Sequence, residues 1–179
     1  MAIQSLEGIY RDINNVSSYA NYVNSLGGGI TITASRQDSL TYLAAENVYM
    51  KGRTSEAVNA MNKYLQSYPN GRFAGDAHFY IGHAAYENKD YDRALSEFNN
   101  TINSGSSKNL NKALALVGSI ESDRGNSQAA YSAYKQLERN ATSAEDKNIA
   151  QSGILRTANE LNNNQDVIAV ATQLLSTDK

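Results

Sequence analysis

The chain has 179 residues, 41% of them apolar, with a net charge of −2, enough length and apolar content to bury an ordinary core. Sixteen Lys and Arg stand against eighteen Asp and Glu, with no basic cluster to attract a phosphate backbone, so nucleic acid is not an expected partner. The absence of cysteine excludes disulfides, thiolate zinc sites and thiol nucleophiles, and no apolar run approaches the ~20 residues that would span a bilayer.

Residues 2–13 and 16–26 read as a first helix pair, with Ile3, Leu6, Tyr10 and Ile13 on one face and Tyr19, Val23 and Leu26 on its partner. The start, through Asp12, lacks the basic end and apolar centre of a secretory signal, so an exported form would already have lost one. Gly27-Gly28-Gly29 stops the second helix. Ile30-Thr31-Ile32-Thr33 alternates like a strand, but a single strand has no partner. It is expected to form an extended plug that packs Ile30 and Ile32 against neighbouring helices.

Ser35 and Asp38 have capping-box spacing, which predicts a helix from about residue 36 to 51, ended by Gly52. The next is predicted over 55–68, with Ala57, Met61, Tyr64 and Tyr68 inward, before a Pro69-Asn70-Gly71 turn. Helices follow over 74–88, 91–103, 110–123 and 127–140, with Asp90 placed to cap the second of these. Ser143 and Asp146 repeat the capping-box spacing and open a helix reaching about 161. The last, over 165–175, carries Val167, Ile168, Ala171, Leu174 and Leu175.

These helices form a series. Tyr19, Ala57, Ala94, Ala130 and Ile168 hold corresponding places at intervals of 38, 37, 36 and 38 residues, so one helix pair is copied five times, over about 1–37, 38–74, 75–110, 111–148 and 149–179. Each pair has an apolar face too large to bury alone and depends on contact with the next. No charge block or low-complexity segment interrupts the series, and one array over 1–179 is expected. The final helix is apolar for a cap, which suggests a piece of a longer protein or ends covered by another copy.

The clearest copy, Ala77 to Phe98, carries Ile81-Gly82 and Ala94-x3-Phe98 in the places of the L-G and A-x3-F pairs of the tetratricopeptide repeat (TPR), with His78 at the tryptophan place and Ala85 at the tyrosine place. The chain therefore resembles the TPR family. The stretch Tyr68-Pro-Asn-Gly-Arg-Phe-Ala-Gly-Asp-Ala77 further resembles TPR segments of bacterial envelope proteins, such as the Tol-Pal coordinating protein and outer-membrane assembly lipoproteins. The resemblance implies an all-α, right-handed solenoid whose concave groove holds a protein segment, without catalysis.

TPR grooves are lined by the fifth, ninth and twelfth positions of each unit. Carried over, these are Gln4, Gly8 and Arg11, then Tyr42, Glu46 and Tyr49, then Phe79, His83 and Tyr86, then Ala115, Ser119 and Ser122. The candidate peptide-binding residues are Tyr42, Glu46, Tyr49, Phe79, His83 and Tyr86, because aromatic rings give large contact area with few rotors to freeze. The competing reading packs these rings between adjacent helices. The Lys, Asn and Arg clamp that chaperone-binding TPR domains use for a peptide carboxylate is missing.

Motifs for catalysis are scarce. His78 and His83 are five apart, about 140° around a helix, and do not share a face to hold a metal. Asp90 and Asp92 are not followed by the Gly and Glu of a calcium loop, and the triple glycine lacks the Lys-Ser/Thr of a phosphate loop. No cofactor or metal is expected. The sequence thus points to a non-catalytic scaffold that binds a protein or peptide in a bacterial envelope assembly, periplasmic by that resemblance and otherwise cytoplasmic. The alternative is a structural spacer or self-association module.

Overall fold

The computed structural model describes residues 2–27, 29, 31–105 and 107–177. Among them are ten helices and no strand: α1 (Ala2–Asp12), α2 (Val16–Ser25), α3 (Ala34–Met50), α4 (Thr54–Ser67), α5 (Ala74–Glu87), α6 (Tyr91–Ser104), α7 (Leu110–Asp123), α8 (Ser127–Asn140), α9 (Ala144–Glu160) and α10 (Asn164–Thr177). The chain divides into two compact units, Met1–Ser107 and Lys108–Lys179. The first holds the hairpins α1–α2, α3–α4 and α5–α6, and the second α7–α8 and α9–α10.

Every hairpin closes in the same way. Asn14, Gly52, Lys89, Gly125 and Asn162 all have left-handed backbone, with φ of 52°, 75°, 62°, 76° and 58°. Each donates its N–H to the carbonyl three residues back, and the next residue donates to the carbonyl five back, as in Lys89 to Tyr86 and Asp90 to Ala85, both at 2.9 Å. This is the Schellman motif, which satisfies the free carbonyls at the end of the first helix and turns the chain into the second. The five residues are 38, 37, 36 and 37 apart.

That register corrects one expectation. Three residues into the second helices stand Tyr19, Ala57, Ala94 and Ala130, all buried. The matching residue of α10 is Val167, not Ile168, which is one of the most exposed apolar residues in the chain. One further turn along stand Val23, Met61, Phe98 and Tyr134, also buried, at the spacing that keeps one helical face inward.

Close approach in the second unit depends on glycine. A Cβ on Gly118 would lie 2.7 Å from Tyr134 Cε1, and one on Gly153 would lie 2.5 Å from Tyr134 Cγ. The ring is therefore held between the backbones of α7 and α9. In the first unit Gly82 does the same for Phe98, 2.9 Å from its Cδ1.

The loop from Tyr68 to Phe73 is fixed by the helices before it. The Tyr64 hydroxyl donates to Asp38 Oδ1 at 2.6 Å and accepts from Phe73 N–H at 3.1 Å, while Asp38 Oδ2 accepts from Arg72 N–H at 3.2 Å. Asp38 thus serves the loop and not a capping box. The cap of α3 is Thr33, whose side chain accepts from Arg36 N–H at 3.2 Å, in place of Ser35. Asp90 and Ser143 do cap α6 and α9. Ile32 packs on the core formed by Val16, Tyr19, Val23, Leu40 and Ala44, whereas Ile30 lies outside the described residues.

Three outcomes follow from this packing. A left-handed lysine costs about 1–2 kcal/mol relative to glycine's tolerance of that region. Lys89→Gly should therefore raise the melting temperature by about 2–4 °C, while Gly52→Ala and Gly125→Ala should lower it, as read by circular dichroism. Gly153→Ala should cost about 1–3 kcal/mol in denaturant unfolding through overpacking against Tyr134, and Tyr134→Leu should recover part of that loss in the double variant. Burial and the hydrogen bond to Asp38 push the Tyr64 phenol above its ordinary value near 10. Above that pH the unfolded chain releases the proton first. The contribution of Tyr64 to stability is therefore present below about pH 10 and lost as pH rises towards the folded-state value, a loss that Tyr64→Phe should reduce in alkaline unfolding curves.

Candidate functional site

The aromatic residues of α3 and α5 lie in the first unit and are joined by side-chain hydrogen bonds. Glu46 accepts at Oε1 from the hydroxyls of both Tyr42 and Tyr80, each at 2.9 Å. Tyr42 is 1% exposed, its ring stacked on Phe73 at 4.5 Å and edge-on to Tyr64 at 5.8 Å. Burial first, and then the charge of Glu46, push the Tyr42 phenol far above its ordinary value. Burial and the bond to Glu46 do the same to Tyr80. Both phenols stay neutral donors, and the carboxylate between them ties α3 to α5.

Phe79 is 5% exposed and packs against Phe98 and Tyr80, each at 5.7 Å between ring centres. Two of the six candidate residues, Tyr42 and Phe79, thus lie between helices and present no open face. Glu46 is half-buried and held by the hydroxyls of Tyr42 and Tyr80.

Tyr49, His83 and Tyr86 are half-buried and reach the surface. The Tyr49 ring rests on Tyr80 at 4.6 Å, and its hydroxyl is 2.8 Å from His83 Nδ1. With the imidazole proton on Nε2, the phenol donates to Nδ1. Burial, followed by the charge of Glu87, raises the Tyr49 phenol above its ordinary value, so it remains a donor. His83 neighbours Tyr86 at 6.4 Å, and Tyr86 neighbours Tyr91 at 5.8 Å. Glu87 Oε1 is 3.7 Å from His83 Nδ1. The result is a run of rings, Tyr49, His83, Tyr86 and Tyr91, fixed on Tyr80 and bordered by one carboxylate.

Tyr91 is absent from the sequence-derived set because it opens α6 and so lies outside the first-helix positions that the repeat pattern marks. The first-unit places Gly8 and Arg11 are half-buried on α1, and the Gln4 side chain is outside the description. Ala115, Ser119 and Ser122 are half-buried on α7, in the second unit. A depression of about 450 Å³ lies elsewhere in the first unit, lined by Pro69, Arg72, His78, Asn100 and Ser104, and none of the six candidates borders it.

The two histidines serve separate contacts. His78 Nδ1 pairs with Glu97 Oε2 at 2.7 Å and fastens α5 to α6, apart from the pair made by His83 and Tyr49. Among the described residues no three His, Asp or Glu converge as a metal site would require, and no helix is long and apolar enough to cross a membrane.

Comparison with known proteins agrees with this repeat geometry. The family model of the tetratricopeptide repeat matches residues 38–71, which span α3 and α4. No curated protein matches the chain. Two crystal structures of a kinesin light chain candidate from Podosopora anserina with nearly identical TPR-like repeats, one of them of a single-substitution variant, are similar in fold. Each has a TM-score of 0.53 at 11% identity, over 98% of this chain and 92% of theirs. These findings support an all-α helical-repeat fold in which the second hairpin, α3–α4, matches the tetratricopeptide repeat.

Proposed function

We propose that the chain is a non-catalytic scaffold that binds a protein or peptide segment on the surface formed by Tyr49, His83, Tyr86 and Tyr91. TPR repeats generally mediate contacts between proteins, and the coarse role follows from the repeat. The observation that supports this particular surface is the half-exposed run of rings seated on buried Tyr80 and Phe79. Their positions are already fixed, so a partner binding there freezes little rotamer entropy, and buried aromatic anchors carry much of the energy of peptide contacts. Tyr42, Glu46 and Phe79 support the surface from below and do not touch the partner.

The Tyr68-to-Ala77 stretch favours a bacterial envelope assembly, in the periplasm, as the setting. Its loop has a physical role here, since Asp38 and Tyr64 hold it while Phe73 stacks on Tyr42. Tyr42 in turn shares Glu46 with Tyr80, the ring on which Tyr49 rests. A second reading, a spacer or self-association module, is favoured by the exposed apolar residues of the first and last helices.

Peptides selected from a random library on the immobilised chain, then measured by calorimetry, test the surface. The double variant Tyr49→Ala/Tyr86→Ala should weaken such a peptide by about tenfold or more, each ring being worth at least ~1 kcal/mol. Gln4→Ala and Ser119→Ala should leave its affinity unchanged. Equal binding of the wild type and the double variant would reject the site.

A further inference from the structure

The run of Tyr49, His83, Tyr86 and Tyr91 offers ring faces and a carboxylate but no cation. It contains phenols and an imidazole and no aliphatic side chain, and the face of each phenol carries the negative side of the ring quadrupole. Glu87 stands at its border with its side chain 53% exposed, and the His83 imidazole is the group it approaches, with Nδ1 at 3.7 Å. That nitrogen accepts the proton of the Tyr49 hydroxyl when the imidazole proton is on Nε2, and then has none to give the carboxylate.

The cations of the same region are engaged elsewhere or make no pair. Lys51 pairs with Asp12 and Arg53 with Glu56. Lys89, in the turn after α5, is exposed, and among the described residues no Lys or Arg pairs with Glu87. An apolar anchor laid on these rings would strip water from the Glu87 carboxylate and return nothing for it. An acidic anchor would meet a like charge. A cation is attracted to a ring face within ~6 Å and compensates the carboxylate as well. Arginine suits both contacts better than lysine, because its flat guanidinium stacks on a ring while its fork of N–H groups reaches a carboxylate.

We infer that the partner presents a basic peptide segment, with an arginine seated on the rings at Tyr49, His83 and Tyr86 and paired with Glu87. This rests on the reading of that surface as the binding site and adds the chemistry of its occupant. Glu87 supplies the choice between a basic and an apolar segment, and the rings supply the contact area.

The probes are capped Gly/Ser peptides of equal length that carry arginine, lysine, leucine or glutamate at the same places, titrated by calorimetry into the whole chain, with helical content of each variant checked by circular dichroism. The arginine peptide should bind best and the lysine peptide less well, with the leucine peptide weaker than the arginine peptide by about tenfold. The glutamate peptide should not bind. Glu87→Gln, an exposed change, should weaken the arginine peptide several-fold and leave the leucine peptide as it was, whereas Glu145→Gln in the second unit should change neither. A leucine peptide that binds as well as the arginine peptide, and loses that binding in Tyr49→Ala/Tyr86→Ala, overturns the basic occupant while the surface stands. An arginine peptide that does not bind, or that binds Glu87→Gln as well as the wild type, also overturns it. The surface itself is then judged separately, by whether library-selected peptides still require Tyr49 and Tyr86.

Discussion

A left-handed residue at the end of each first helix determines the rest of the structure. It fixes how many residues separate the last inward turn of one helix from the first inward turn of the next, and so which side chains of the two helices meet. The residue type is secondary to the backbone. Glycine occupies two of the five positions, asparagine two and lysine one, yet all five make the same pair of hydrogen bonds. Asparagine tolerates this region better than most side chains, whereas lysine has no local compensation for the crowding of its Cβ. The hairpin α5–α6 accepts that strain because its two helices are well packed on each other, with Phe98 against Gly82 and Phe79.

Within that frame the repeats differ, and the differences compensate one another. The same inward place holds Val23, Met61, Phe98 and Tyr134, which span a wide range of volumes. The larger rings are accommodated by glycine in the facing helix, once for Phe98 and twice for Tyr134. Packing therefore selects pairs and not single residues, so a repeat can change both members and keep its hairpin. This is consistent with a fold shared at 11% identity with a protein whose own repeats are nearly identical.

Helix boundaries were legible in the sequence because glycines, capping residues and proline mark them, and most fell within a residue or two of the structure. Thr33 and Ser35 both precede a helical run, and the choice of Thr33 as cap is made by Asp38 turning towards Tyr64. Periodicity alone does not separate Ile168 from Val167, because α10 is apolar on several sides, and the register of the left-handed turns decides for Val167. The left-handed Lys89 left no compositional sign. In the candidate site, helical spacing correctly brought α3 and α5 residues together, but it does not state whether a first-helix ring faces solvent or a neighbouring helix. Tyr42 is buried by Phe73, a loop residue outside any periodic pattern, and Phe79 by the adjacent helix α6.

The excess of tyrosine over other aromatic residues has a mechanical reading. Tyr19 donates to Glu7, Tyr64 to Asp38, Tyr42 and Tyr80 to Glu46, and Tyr131 to Asp166. In each of these except Tyr42 the carboxylate belongs to another helix, so the ring fills the core while its hydroxyl fixes the distance and register to that helix. Phenylalanine would fill the same space but remove one donor from a half-buried carboxylate, at a cost greater than that of one neutral hydrogen bond. Tyr49 breaks this pattern. Its hydroxyl meets the imidazole of His83, which is half-buried, and that bond can be exchanged for one to an incoming partner without removing a donor from a carboxylate. The rings bonded to carboxylates thus tie helices to one another, and the run beginning at Tyr49, the surface proposed for a partner, is the one not engaged with a carboxylate in this way.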